Sequence, residues 1–152
     1  VRGKHNMFSV DGRILGFKKE LVKKITVPED MITNDLYTYF CCISNGYAYR
    51  FADKAIVRFR SPRNLADHVA QNTRYMAAKA RMKRYFDHEL VNREFYIPKS
   101  FLIKGMLSQF LKNPVSCIFI FLVNKYCAIK ASEAEKKMNA KWIMAITTKN
   151  LS

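Results

Sequence analysis

The sequence predicts an α/β unit followed by membrane-associated helices. Residues 7–17 and 47–60 are short stretches with alternating or turn-bounded apolar residues, which is typical of β-strands. Stretches with helical spacing lie between and after them, and residues 115–123 are apolar without a charge. We therefore expect an α/β region over residues 1–90 and a helical, membrane-associated region over residues 91–152.

The composition indicates one folded domain with a strongly basic surface. The 152 residues are 49% hydrophobic and 13% aromatic, which is enough to build a core. The 27 Lys and Arg against 12 Asp and Glu give a formal charge of +15, which attracts nucleotides, acidic membrane surfaces or nucleic acids. The charge by itself does not choose among these partners.

The cysteines predict a reducing, cytoplasmic setting. None has CxxC spacing, and all lie in apolar runs, so we expect reduced and buried side chains in preference to metal ligands or disulfides. They are Cys41, Cys42, Cys117 and Cys127. The chain begins at Val1 without an initiator Met or a signal-peptide pattern, and we expect further residues upstream.

The first elements are predicted in chain order from apolar spacing and from stop signals. Residues 7–17 are expected to form one or two short strands around Gly12, and residues 18–24 a short basic helix. After Pro28, residues 36–44 form an apolar run that ends at Asn45 and Gly46, a helix stop signal.

The start of that second helix places a carboxylate near a helix N-terminus. Thr33 or Asn34 is expected to cap it, which puts Asp35 in its first turn.

Residues 47–60 are expected to form two strands around a turn at Asp53 and Lys54. The second strand alternates cleanly, with one apolar and one basic face. The apolar face carries Val57 and Phe59, and the basic face carries Arg58 and Arg60.

A long helix is predicted next, with Ser61 as N-cap, Pro62 at its first position and its end near Phe86. Polar and aromatic residues recur on one face of this helix at steps of three and four. They are His68, Gln71, Arg74 and Tyr75. We expect a ligand bound above that face to contact all four side chains.

The C-terminal region is predicted to be helical and apolar. Residues 98–112 suit an amphipathic helix, and Asn113 and Pro114 restart the chain. The apolar run 115–123, extended to 129, is shorter than the roughly 20 residues that span a bilayer. We expect it to lie in the membrane interface, with flanking lysines reaching the headgroups, and a buried core helix is the alternative. The lysines are Lys112, Lys125 and Lys130.

Five pieces of sequence in a fixed order resemble a known enzyme family. They are VDGRILGFKK (10–19), ITNDLYTYF (32–40) followed by NGY, AIVRFRSP (55–62), QNTRY (71–75) and KNPVSCIFIFLV (112–123). Together they resemble the acceptor-side half of a family 2 glycosyltransferase over residues 7–130. That resemblance implies the C-terminal half of a Rossmann-like α/β domain of the type called GT-A.

The resemblance implies a catalytic base. Asp35 matches the second member of the family's acidic doublet, which takes the proton from an acceptor hydroxyl, and Asn34 stands at the first position. If the alignment slips, Asp30 becomes the rival base. The structural alternative for Asp35 is a carboxylate stabilised by the helix dipole.

The resemblance also implies a substrate-binding group on the long helix. Gln71 and Arg74 match the Gln and Arg of the family's Q-x-x-R-W signature and would bind a diphosphate or an acceptor sugar. Tyr75 stands where the family usually has Trp and keeps an aromatic platform. The alternative for all three is that they lie on a solvated helix face without binding a ligand. His68 is a weaker candidate for the binding group, because only its position on the same face supports it.

The implied partners are a nucleotide-sugar donor, a glycan or lipid-linked acceptor and an anionic membrane surface at the cytoplasmic face. The family's divalent cation, Mg²⁺ or Mn²⁺, is held by a D-x-D motif that lies upstream of the matched region and does not occur in these 152 residues. We therefore expect the chain to be catalytically incomplete, with the cation's ligands outside this sequence.

Two other classes of function are compatible with the sequence. A nucleic-acid-binding module would use the positive charge and the aromatic residues among Arg and Lys in residues 47–60, but it gives no role to residues 115–123. We therefore expect no nucleic-acid partner. A non-catalytic membrane-peripheral basic protein would need only the basic surface and the apolar run.

Overall fold

A computed structural model describes residues 6–137 except 11, 13 and 60, and these residues form a helical protein. After a 3-10 helix at Met7–Ser9, the described residues form the six α-helices listed here in chain order. They are α1 (Lys19–Val22), α2 (Asn34–Ser44), α3 (Leu65–Tyr85), α4 (His88–Glu94), α5 (Lys99–Lys112) and α6 (Pro114–Lys137). Because the described residues include no strand, the predicted α/β class, including its Rossmann-like half-domain, is wrong.

The two predicted strand regions take other conformations. At the N-terminus the Asn6 side chain accepts a hydrogen bond from the Phe8 N–H and closes the 3-10 helix. Residues 47–59 form neither helix nor strand, although the predicted turn at Asp53 and Lys54 is present. Strands persist only when a neighbour completes their hydrogen bonds. The described part of the chain brings no second strand beside either region.

Parts of the predicted motifs fall outside the described residues. These parts are Asp11 and Arg13 of the first motif, Arg60 of the predicted second strand, and residues 138–152 of the predicted C-terminal region.

Helix α2 confirms the predicted position, but the predicted cap is not formed, because the Thr33 side chain makes no capping hydrogen bond. It begins at Asn34 after Thr33, carries Asp35 in its first turn and ends at Ser44. Gly46 follows with a φ of 76°, a left-handed conformation that suits glycine just past a helix end.

The predicted start of the long helix is wrong, and one further helix was not predicted. Helix α3 begins at Leu65 because the side chain of Asn64 accepts a hydrogen bond from the Asp67 N–H at 2.7 Å. Asp87 caps α4 in the same way, through the Leu90 N–H at 2.9 Å. Asp87 and residues 88–94 therefore form a capped helix for which the sequence analysis predicted no element.

The main core joins the N-terminus, α2, the end of α3 and α4. Its buried members are Met7, Met31, Tyr39, Phe40, Met82 and Val91. Phe40 lies at the centre, with its ring centroid 5.2 Å from that of Phe86 and 6.3 Å from that of Phe95. This aromatic packing fixes the orientation of α2 and therefore of the residues in its first turn.

Helix α6 packs on α3 through its second half. Val123, Cys127 and Ala131 recur at steps of four and are buried. The Cys127 thiol lies 3.8 Å from the carbonyl oxygen of Val69. The free cysteines predicted from the sequence are confirmed: all four are free and three are buried, while Cys117 is half-buried.

The remaining part of the C-terminal region is exposed. All residues of α5 are exposed, as are most of residues 114–122 in α6. Among the described residues, the window Pro114–Ala131 is the one stretch of helix whose length and apolar composition would allow it to cross a membrane. It has 18 residues and a mean hydropathy of 1.4, and 11% of it is buried.

Candidate functional site

A cavity of about 840 Å³ lies between residues 9–18, the first half of α2 and residues 47–57. Its walls carry five aromatic side chains, Phe17, Tyr39, Tyr47, Tyr49 and Phe51. The Tyr49 hydroxyl donates a hydrogen bond to the Ser9 carbonyl oxygen at 3.0 Å, and this bond joins two of the walls. The cavity is large enough for a small-molecule ligand.

Asp35 lies on the wall of this cavity. Its Oδ1 accepts a hydrogen bond from the Leu36 N–H at 2.9 Å, and its carbonyl oxygen accepts one from the Thr38 hydroxyl at 2.9 Å. Both contacts are local to the first turn of α2, so the helix itself sets the direction of the carboxylate.

Gly12 approaches Asp35 closely from the N-terminal segment. A Cβ placed on Gly12 would lie 3.1 Å from the Asp35 Cβ and 3.2 Å from its Oδ2. Those distances are shorter than ordinary van der Waals contact, so a side chain at this position would displace the carboxylate. Glycine is therefore the residue that allows Asp35 its present position.

Basic side chains lie at and near the cavity. Lys18 and Arg50 are among its lining residues. The ammonium groups of Lys18 and Lys24 lie 6.0 and 5.8 Å from the centroid of the Tyr47 ring. Such a cluster of positive charge favours an anionic ligand near this end of the cavity.

The predicted residues of the long helix come together, but away from the cavity wall. The Gln71 amide donates to the Tyr75 hydroxyl at 3.2 Å, and the Arg74 guanidinium carbon lies 5.4 Å from the Tyr75 ring centroid. Neither these three residues nor Asn34, which is exposed at the start of α2, line the cavity that holds Asp35. The candidate residues therefore form two groups.

His68 belongs to the contact between α3 and α6. Its Nε2 lies 3.0 Å from the side-chain nitrogen of Asn72, which also donates to Asn124 of α6 at 3.1 Å. These contacts give His68 a structural role.

Asp30, the rival base, is held by α3. The Arg81 guanidinium donates hydrogen bonds to Oδ2 of Asp30 and, at 2.6 Å, to the carbonyl oxygen of Asp30. The Tyr85 hydroxyl donates a hydrogen bond to Oδ1 of Asp30. The hydrogen bond from Tyr85 and the charge of Arg81 hold the pKa of Asp30 below its ordinary value, although partial burial opposes them. A carboxylate stabilised in its charged form is a weaker base, which favours Asp35 for that role.

Sequence reasoning missed the aromatic wall of the cavity. Tyr47, Tyr49 and Phe51 lie in the first of the two strands predicted for residues 47–60, and no role was predicted for them. All three line the cavity. Their alternation along the chain is the signal that could have placed them on a shared side.

Among the described residues, no group of three or more His, Cys, Asp or Glu side chains could hold a metal ion. The cation that the resemblance implies was predicted to have its ligands outside this sequence, and it stays a prediction.

Comparisons with protein-family models, with curated proteins and with solved structures found no match to this chain. The geometry of the cavity and the motifs in the sequence are thus the basis for a function.

Proposed function

We propose that this chain is the acceptor-side part of a family 2-like glycosyltransferase. Its reaction would transfer a sugar from a nucleotide-sugar donor to a hydroxyl of a glycan or lipid-linked acceptor at the cytoplasmic face of a membrane. The observation that carries the proposal is the position of Asp35, a carboxylate on the wall of a cavity of about 840 Å³ that is also lined by five aromatic side chains.

The proposed chemistry starts with Asp35 as general base. Its carboxylate accepts the proton of the acceptor hydroxyl while that oxygen bonds to the anomeric carbon of the donor sugar. The bond from the anomeric carbon to the diphosphate breaks, and the nucleoside diphosphate leaves with the bonding electrons. The aromatic walls provide flat apolar surfaces against which a sugar ring packs.

Positive side chains support the use of an anionic donor. Lys18 and Arg50 line the same cavity as Asp35, and both favour a phosphate-bearing group there. Gln71, Arg74 and Tyr75 are proposed as a second binding group for the diphosphate or the acceptor, on the strength of the resemblance and their mutual contacts. A divalent cation would have its ligands outside the described residues, and no step above depends on it.

The test is the substitution Asp35→Asn in the natural full-length protein, with Asp53→Asn as a matched control. Asp53 is exposed in a turn and does not line the cavity, so its substitution removes the same charge without changing the cavity wall. Membranes that contain each variant are supplied with a panel of nucleotide sugars, and release of nucleoside diphosphate and formation of glycan are measured. We expect Asp35→Asn to lower the rate by at least about 100-fold and Asp53→Asn to leave it near the wild-type value.

Two outcomes would contradict the proposal. Full activity in a folded Asp35→Asn variant would remove Asp35 as the base. If the wild-type protein releases no nucleoside diphosphate from any donor, the transferase proposal itself is wrong. That second result would favour the non-catalytic, membrane-peripheral protein, for which the exposed α5 and the charge of +15 are the supporting observations.

A further inference from the structure

We propose that α5 and the first half of α6 dock this protein on an anionic phospholipid bilayer from one side. In this arrangement α5 and residues 115–122 of α6 both lie at the interface of one leaflet, and neither helix crosses the bilayer. The inference rests on the membrane location within the proposed function, and it uses none of the proposed chemistry.

Helix α5 has the side-chain distribution of an interfacial helix. At about 100° per residue, its large apolar side chains after the first turn occupy about half of the helix circumference. They are Leu102, Ile103, Met106, Leu107, Phe110 and Leu111, and each is between 45% and 76% exposed. The opposite face carries Lys104, Ser108, Gln109 and Lys112, together with the exposed Phe101 of the first turn. A helix with one apolar and one basic face lies flat between headgroups and acyl chains.

The protein body does not cover the apolar face of α5. All 14 residues of the helix are exposed in the structure, including every large apolar one. Residues 118–122 of α6 add five consecutive apolar side chains, each about half exposed or more. Contiguous apolar surface of this kind marks a contact with another apolar phase.

The charge pattern identifies that phase as an anionic membrane. Between Phe95 and Ser132 the chain has no Asp or Glu. The same stretch carries Lys99, Lys104, Lys112, Lys125 and Lys130. Lysines beside an apolar surface reach headgroup phosphates while their methylene stems cover the acyl boundary. A groove that is apolar throughout offers no phosphate or carboxylate to Lys99, Lys104 and Lys112 beside α5, whereas an anionic membrane places phosphates at the edge of its acyl layer.

The contact between α6 and α3 prevents α6 from crossing the bilayer. Asn124 of α6 accepts a hydrogen bond from Asn72 of α3, and Cys127 contacts the backbone of Val69. If the whole window Pro114–Ala131 entered the hydrocarbon, α3 would enter with it, including the charged Arg74. Charged and polar side chains are costly at that depth.

The uncovered part of α6 is too short to span a bilayer. Residues 115–122 rise about 12 Å at 1.5 Å per residue. The hydrocarbon core is about 30 Å thick. A segment of about 12 Å stays within one leaflet. The polar start of α5 and the contact between α6 and α3 therefore remain on the same side of the membrane.

Vesicle flotation of the natural full-length protein tests the docking surface. The substitution Leu107→Asp places a charge in the middle of the apolar face, and Ser108→Asp places the same charge on the polar face of the same helix. Both positions are exposed, so neither change removes a core contact. We expect wild type and Ser108→Asp to float with vesicles of phosphatidylcholine and phosphatidylglycerol, and Leu107→Asp to bind at least about tenfold more weakly.

Three results of this experiment would overturn the docking surface. One is equal binding by the two variants. Another is equal binding to vesicles with and without phosphatidylglycerol. The third is failure of the wild type to float, which would leave a protein groove as the occupant of α5.

The depth of α6 is tested by labelling. A membrane-impermeant maleimide trapped inside sealed vesicles is presented to an Asn113→Cys variant added from outside, in which Cys117 is replaced by Ala. We expect no labelling from the lumen, because the turn between α5 and α6 does not reach the far side. Labelling from the lumen would mean that the helices cross, and the one-sided arrangement would be wrong.

The two proposals fail separately. Flotation and labelling do not measure sugar transfer, so a negative result in either leaves Asp35 untested. The Asp35→Asn variant is expected to float as the wild type does, because Asp35 lies on α2 and not on α5 or α6.

Discussion

The pair formed by Asp30 and Arg81 ties the loop before α2 to α3, and we expect the substitution Asp30→Asn to destabilise the protein. The change keeps the size of the side chain and its ability to accept a hydrogen bond from the Tyr85 hydroxyl, but it removes the negative charge. Arg81 is only 2% exposed, whereas the Asp30 side chain is 40% exposed. Arg81 therefore keeps its charge in a buried position after the carboxylate has lost its own.

The burial of the two partners sets the expected magnitude. Exposed pairs contribute about 0–1 kcal/mol, and breaking a fully buried pair costs about 3–5 kcal/mol. With one partner buried and one screened by solvent, we expect a loss of about 2 kcal/mol in the free energy of unfolding. For a protein of this length the corresponding fall in Tm is about 6 °C.

Thermal and urea unfolding at pH 7, followed by circular dichroism, measure this effect. Glu29→Gln is the matched control, since Glu29 is the neighbouring carboxylate and is exposed. We expect the control to stay within about 0.5 kcal/mol of the wild type. If the two variants unfold at the same midpoint, the pair does not stabilise the protein and the reasoning is refuted.

The pH dependence gives an independent check of the same pair. The pKa of Asp30 is lowered below its ordinary value of 3.8, first by the hydrogen bond from Tyr85 and then by the charge of Arg81. Stability from a lowered pKa is present above the ordinary value and is lost as the pH falls through the value in the folded protein. The difference between wild type and Asp30→Asn should therefore be complete at pH 7 and shrink below about pH 4.

Two further predictions concern the site and the core. Gly12→Ala should push the Asp35 carboxylate by a few tenths of an ångström and lower transferase activity by about three- to tenfold. Gly105→Ala on α5, which has open space around it and does not line the cavity, should leave the activity near the wild-type value, and equal activities of the two variants in the glycan-formation assay would refute the close approach. Phe40→Ala should lower the free energy of unfolding by about 3–5 kcal/mol, because Phe40 is fully buried. Phe101→Ala on the exposed α5 should change the free energy of unfolding little. Similar losses for the two variants in urea titrations would show that Phe40 is not in the core.

Parts of the fold that depend on local interactions could be predicted from the sequence. The position of α2 with Asp35 in its first turn, its end just before Gly46 and the extent of α5 all follow from helix breakers and apolar spacing. The start of α3 was predicted three residues early because Ser61 and Asn64 are both good capping residues. Only the hydrogen bond that forms, from Asp67 to Asn64, decides between them.

The candidate site could be predicted only in part. The sequence motifs selected Asp35, Gln71, Arg74 and Tyr75, but periodicity does not say which of them share a cavity. The structure places Asp35 on a cavity whose walls come from two segments predicted as strands, and it groups the other three on α3. The roles assigned to all four stay predictions until the substitution experiments are done.

The sequence by itself determined the basic charge, the apolar C-terminal helices and the position of Asp35 in the first turn of a helix, because each depends on composition or on residues within a few positions. The tertiary structure alone decided that the described residues of 7–17 and residues 47–59 are not strands, that Asp30 is held by Arg81, and that half of α6 is covered by α3. These features depend on groups roughly 50 residues apart in the chain, and local propensity carries no information about such pairings.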